Sequence, residues 1–330
     1  ARFAEGDLTG CTTALRVAAA AAPEGRADCD RLQTIVGTCR KGFDVLERTL
    51  DLDAALNVFS SARQLTTAAG APPAAVGTRI DAWVEGVDRL ERAAVGMVPI
   101  PGGTTVDPRA RVAAFFLSAT ECSNGEWAAF LDAVRAAAQG ADDEERFAAV
   151  ASRLEGSGMT PRRFADLLAQ RPGSNEREPV DRLRWYEAAA YCAWYGKSLP
   201  TAAEWALAAF GDGKRFAYPW GNEWSNDKEQ RNPSSRTLAD VDEGGLSWRS
   251  EGARKLHHLA GNVAEWLAAD PEAGSADTAG GRYNLRGMAS IQEQAGGKLE
   301  SRRMDDRMGG VGFRVVLRPR DFPGLIWPQD

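Results

Sequence analysis

The run Tyr191–Trp205, YCAWYGKSLPTAAEW, constrains this chain more than any other stretch of it. Trp185, Ala189, Cys192 and Ala193 recur at i, i+4, i+7 and i+8, a single apolar face on a helix over about Arg184–Gly196. Gly196 is placed to stop that helix. Thr201 and Glu204 then form a T-x-x-E capping box, which opens a second helix carrying Trp205, Leu207 and Phe210. Gly211 ends it. Beyond Gly211 the chain is rich in Gly, Asn, Asp, Pro and Trp, so regular structure is sparse there and long loops must be held by buried aromatics.

The region before this run has two textures. Residues 1–94 read as helices, with Cys29, Leu32, Ile35 and Val36, then Phe43, Leu46 and Leu50, at helical spacing. Pro72 and Pro73 break the pattern, and a last helix carries Ile80, Trp83, Val84, Val87 and Leu90. A small all-α bundle is expected, serving as a packing module or as an adaptor for a partner. At Met97 the text changes: MVPIPGG combines β-formers with a turn, and a second domain is expected over residues 95–330. Val112–Leu117 is strand-like. Ser123 and Glu126 form an S-x-x-E capping box opening a helix with Trp127, Phe130, Leu131 and Val134. Residues 140–172 read as a helical insertion, acidic at Asp142–Glu145, with Phe147, Val150, Leu154, Phe164, Leu167 and Leu168.

Charge and cysteine usage exclude several function classes. A net charge of −6 without a basic block gives no electrostatic footprint for nucleic acid or an anionic membrane. No apolar stretch reaches the roughly 20 residues of a membrane span. Cys11, Cys29, Cys39, Cys122 and Cys192 are odd in number and widely spaced, the pattern of reduced thiols in a cytoplasmic protein. None forms a CxxC pair, so a zinc site is not expected. The chain begins at Ala1 without a visible secretory signal and is expected to be a fragment or a processed product. No GxSxG, Walker loop or HExxH occurs.

Further short runs follow in fixed order: YPWGNEW (Tyr218–Trp224), LHHLAGNVAEW (Leu256–Trp266), LRGMAS (Leu285–Ser290) and GFRVVL (Gly312–Leu317). With MVPIPGG, CSNGEWAAFL and EAAAYCAWYGKSLPTAAEWALAA, they resemble the formylglycine-generating enzyme and sulfatase-modifying factor family over roughly Met97–Pro319. The resemblance implies an α+β, C-type-lectin-like fold with much irregular structure, its termini held together, here preceded by the all-α segment. Catalytic members of that family hold copper through two cysteines after the strand matched here by Gly287–Ser290. No cysteine occurs between Asn262 and Arg314, and Gln292, Glu293 and Gln294 offer hard donors where soft thiolates are needed. An iron-dependent branch uses histidines from an added helical domain. This chain has only His257 and His258, expected at the surface or in a loop, and none in its first 94 residues. Cys122 and Cys192 are expected on helices, packed in the core.

The resemblance also marks Gly261, Val263 and Glu265 as a candidate calcium site, with Asn232 at another, although His258 stands where the first site usually has Asp or Asn. Without calcium, GNVAEW is expected to place a turn at Gly261–Asn262, a backbone-bonded carboxylate at Glu265 and a core filler at Trp266. The exposed lectin-like cleft would be lined by Ser290, Gln292, Glu293, Arg302, Arg303, Asp305 and Arg307, the candidate ligand-binding residues. Arg302 or Arg303 could instead stitch the loop core through ion pairs. The implied function is non-catalytic: recognition of a protein, peptide or small ligand by this face, coupled to a partner through the N-terminal helices. The alternative is a metal-dependent oxidoreductase of the same family with an atypical site.

Overall fold

A computed structural model describes residues 3, 7–21, 25–67, 74–106, 109–214, 216, 218–222, 238–243, 255–269, 275–281, 300–307, 309–322, 325 and 327. Four helices come first: α1 (Leu8–Ala21), α2 (Arg26–Arg48), α3 (Leu52–Leu65) and α4 (Ala74–Ala93). Their apolar faces are those the spacing predicts, with Ile35, Val36, Phe43 and Leu46 of α2 buried against Ile80, Trp83, Val87 and Leu90 of α4. Trp83 is the hub, fully buried with ring centroids of Phe3, Phe43 and Phe59 at 5.4, 5.2 and 5.9 Å. Gly42 is required here, because a Cβ would meet the Phe59 ring at 2.7 Å.

Beyond α4 the chain enters β1 (Met97–Ile100), the hairpin β2 (Gly103–Val106) and β3 (Arg109–Val112), and β4 (Phe115–Ser118). β1 pairs antiparallel with β4, and β4 with β9 (Val316–Leu317). This three-stranded sheet joins the start of the second region to its end, as the resemblance implies. A second sheet, ordered β7–β6–β5–β8, contains β5 (Gly261–Trp266), β6 (Ser275–Gly281), β7 (Glu300–Arg303) and β8 (Val311–Gly312), with β8 parallel to β5. Mixed helix and strand with long irregular stretches is the α+β class expected.

Helices α5 (Asn124–Ala137), α8 (Trp185–Trp194) and α9 (Ala202–Phe210) fill the space beside the sheets. The caps at Ser123 and Thr201 form as predicted, each hydroxyl accepting from the N–H of Glu126 or Glu204 at 3.2 Å. The glutamates reach back to the cap residue N–H at 2.8 and 2.7 Å. Within the insertion lie α6 (Asp143–Ala148), a 3-10 turn at Ala151–Leu154 and α7 (Pro161–Leu168). It is fastened to α8 by stacking, with the Arg153 guanidinium 3.3 Å above Trp194 and that of Arg163 3.4 Å above Tyr186.

The helical segment does not stand apart from the rest. Phe43 packs on Trp327 at 5.1 Å. The carbonyls of Glu47 and Arg48 accept from Ala114 and Gly102 at 2.9 and 3.1 Å. Arg320 reaches the Glu47 carboxylate at 2.7 Å. One apolar core runs through both regions. No helix among the described residues is long and apolar enough to cross a membrane.

Candidate functional site

Three of the runs that carry the resemblance meet at one carboxylate. Glu265 of GNVAEW is fully buried on β5, between Trp205 of the capped helix α9 and Arg314 of GFR. Trp205 Nε1 donates to Glu265 Oε2 at 2.9 Å. Arg314 donates through Nε to both oxygens at 2.8 Å, and its Nη2 lies 2.7 Å from Oε1. The remaining Arg314 donors go to the carbonyls of His257 at 2.8 Å and Ser118 at 3.3 Å. Two opposite charges this deeply buried persist because each nitrogen of the guanidinium and each oxygen of the carboxylate has a partner. The cluster ties β4, β5, α9 and the C-terminal run together.

Glu265 is an ion-pair partner: both oxygens face the Arg314 guanidinium, whose charge disfavours a cation there. It does not bond backbone either, as the non-metal reading expected. Gly261 and Val263 lie on the same strand, and the Val263 N–H points to Glu121 Oε1 at 3.3 Å. Gly261 and Asn262, expected to form a turn, lie instead at an irregularity within β5, with Asn262 at φ 52° and its Oδ1 accepting from Ala239 N–H at 3.0 Å. Trp266 fills the core as expected, its Nε1 donating to the Leu183 carbonyl at 3.0 Å. Asn232 lies outside the described residues.

Sequence reasoning missed Glu121. It is buried beside this cluster and accepts from Asn262 Nδ2 at 2.9 Å. Burial, with the neighbouring Glu265 charge second, pushes its carboxyl up to about 8, so it is protonated at neutral pH. The one available signal was its place between strand β4 and the Ser123 cap. His258 lies in a loop, as one arm of the expectation has it, but buried, at φ 51°, with Nε2 3.3 Å from the Asp240 carbonyl. Burial lowers its pKa to about 4.

The charged run before Gly309 is only partly free. Arg307 Nη2 lies 2.5 Å from Oε1 of Glu187, which is buried at the first turn of α8. Arg307 is thus the counter-ion of a buried acid while remaining exposed itself. The Asp305 carboxylate faces Arg163 at 3.6 Å, and its carbonyl accepts from Arg184 Nε at 3.1 Å. Arg303 is exposed, and the backbone of Arg302 pairs with Ala276 on β6. Ser290, Gln292 and Glu293 lie outside the described residues.

Cys122 and Cys192 are buried as expected, and burial pushes both thiols well up. Cys122, however, precedes the Ser123 cap instead of lying on the helix, because the cap sets where α5 begins. Copper(I) does not fit these residues: the thiols are protonated and enclosed, and the stretch after the matched strand supplies no thiol. Among the described residues no three His, Cys, Asp or Glu side chains are grouped to hold a metal ion.

Residues 86–319 match the sulfatase-modifying factor enzyme 1-like domain. The inactive C-alpha-formylglycine-generating enzyme 2 of Bos taurus is 35% identical over 174 residues, 47% of this chain and 56% of that protein. The serine/threonine-protein kinase Pkn1 of Chlamydia trachomatis is 34% identical over 152 residues, 46% of this chain and 22% of the kinase. The formylglycine-generating enzyme of Thermomonospora curvata is 36% identical over 110 residues, 29% of this chain and 36% of the enzyme. The chain spans about half the length, or less, of these relatives. A domain match over most of the chain agrees with the convergence of Trp205, Glu265 and Arg314, and the chain belongs to the formylglycine-generating enzyme, or sulfatase-modifying factor, family.

Proposed function

We propose that this chain is a non-catalytic member of its family, a cytoplasmic binding or regulatory protein. Its loop face recognises a protein, a peptide or a small ligand, and its helical segment couples that recognition to a partner. The observation that carries the reading is the missing sulfur pair: no cysteine occurs from Asn262 to Arg314. Without two thiolates there is no soft seat for copper(I), and the chemistry of the active relatives has nothing to act through. A relative named as inactive supports the reading, and one named as a kinase supports coupling to an effector. Arg303 and Asp305 remain exposed and are the described residues proposed to meet the ligand.

The test is metal analysis of the purified chain, with oxygen uptake followed on a cysteine-containing peptide. Sub-stoichiometric copper and iron, with no uptake above background, are expected. Stoichiometric transition metal with turnover would overturn the reading in favour of an oxidoreductase with an atypical site.

A further inference from the structure

Lys197 follows Gly196, the left-handed residue (φ 63°) just beyond α8, and its N–H donates to the Cys192 carbonyl at 2.8 Å. Its side chain is only partly exposed. No carboxylate oxygen lies within 4.0 Å of its ammonium among the described residues. Glu126 lines a small cavity with Lys197 and favours its charge from beyond contact distance, while accepting from the Ser123 N–H. Burial lowers the lysine pKa, and the Glu126 charge offsets part of that shift.

Lys197 lines a cleft of about 440 Å³ between α8, the start of α9 and the chain after β5. Trp185, Ala189, Ala193 and Leu199 give this cleft an apolar wall, and Ser198 and Thr201 stand beside the lysine. Arg318 also lines it, but its guanidinium is neutralised by Glu204 at 2.5 and 2.7 Å. Glu155 sits exposed at the rim. The volume falls within the range of small-molecule sites, about 300–1,000 Å³. The cleft therefore pairs an apolar wall with one cation that no described carboxylate contacts.

We propose that this cleft binds a small organic anion, a carboxylate on an aromatic or short aliphatic body, with Lys197 as its counter-ion. The apolar body would cover the Trp185–Leu199 wall, and the carboxylate would supply the partner that the protein withholds from Lys197. Desolvating the pair inside the cleft strengthens it relative to a surface ion pair. The inference is independent of the loop-face function, since none of the cleft's lining residues belongs to the charged run.

Benzoate and hexanoate titrated into the full chain by calorimetry provide the test, with benzamide as the neutral isostere. Saturable binding of at least one carboxylate is expected, with benzamide roughly tenfold weaker or worse, a difference of about 1.4 kcal/mol. Lys197→Gln is expected to lower carboxylate affinity at least tenfold, and Lys197→Arg to retain most of it. If Lys197→Gln fails to fold, Ala193→Leu, which fills the wall and leaves the lysine in place, is expected to abolish binding. Absence of saturable binding, equal binding of benzamide, or undiminished affinity in the folded Gln or Leu variant would overturn the proposal.

Discussion

Glu121 and His258 are two buried titratable groups whose pKa values shift in opposite directions relative to neutral pH. Glu121 has its folded pKa raised from 4.5 to about 8, so the folded state holds a proton that the unfolded chain releases. Its linkage therefore removes stability as pH rises from about 4.5 to 8. His258 has its folded pKa lowered from 6.5 to about 4, so its linkage removes stability as pH falls through that window. Denaturant melts of Glu121→Gln should show a flatter fall in stability between pH 5 and 8 than the parent chain. His258→Asn, which tolerates the left-handed backbone at φ 51°, should flatten the acid limb instead. Parallel pH profiles for parent and variant would show that neither group carries the dependence. Arg307→Glu should cost about 1–3 kcal/mol, between an exposed and a fully buried pair because the arginine is partly exposed. It strands Glu187 and adds a second acid beside it. An unchanged melting temperature would return Arg307 to the ligand face. The ion pair was not legible because its members stand 120 residues apart. The burial of His258 in its loop was likewise not legible, because the Asp240 carbonyl and Arg314 reach it only through the fold.

Elements whose signals are local were legible, and those fixed by distant contacts were not. The caps at Ser123 and Thr201 close within three residues, so pattern and structure agree. The faces of α2 and α4 follow helical spacing for the same reason. The insertion was recognisable as helical, yet nothing in its pattern shows how it is held. That depends on Arg153 over Trp194, 41 residues away, and Arg163 over Tyr186. Arg153→Ala should loosen the 3-10 turn at Ala151–Leu154 and cost about 0.5–2 kcal/mol, the span for a cation–π contact from exposed to desolvated. Hydrogen exchange is the measurement that separates a local effect from a global one. Faster exchange confined to residues 143–168, with α9 unchanged, is expected; uniform acceleration would mean the insertion is part of one cooperative unit.

At the scale of the whole molecule, the sequence suggests a boundary near residue 94, but the packing crosses it. Phe43 of α2 meets Trp327 near the C-terminus, Arg320 stands 5.3 Å from that indole, and Trp327 Nε1 donates to the Pro319 carbonyl at 2.7 Å. The C-terminal run thus folds back over the helical bundle, while β9 ties the same stretch to β4. Removing residues 1–94 would uncover Ala114 and Phe116, which share the bundle's core, so loss of a partner by the truncated chain would report unfolding as readily as lost docking. A point substitution is cleaner. Trp327→Ala should weaken the bundle by about 1–3 kcal/mol, less than a fully buried aromatic costs because the indole is only partly covered. Its amide signature should be reduced hydrogen-exchange protection in α2 and α4, with α8 and α9 retaining theirs. Unaltered protection in α2 would show that the helical segment is stabilised by itself and free to move against the family domain. Reduced protection there would mean that an event on either region is felt by the other through Phe43 and Trp327. That mechanical link is what a recognition face coupled to a helical adaptor requires.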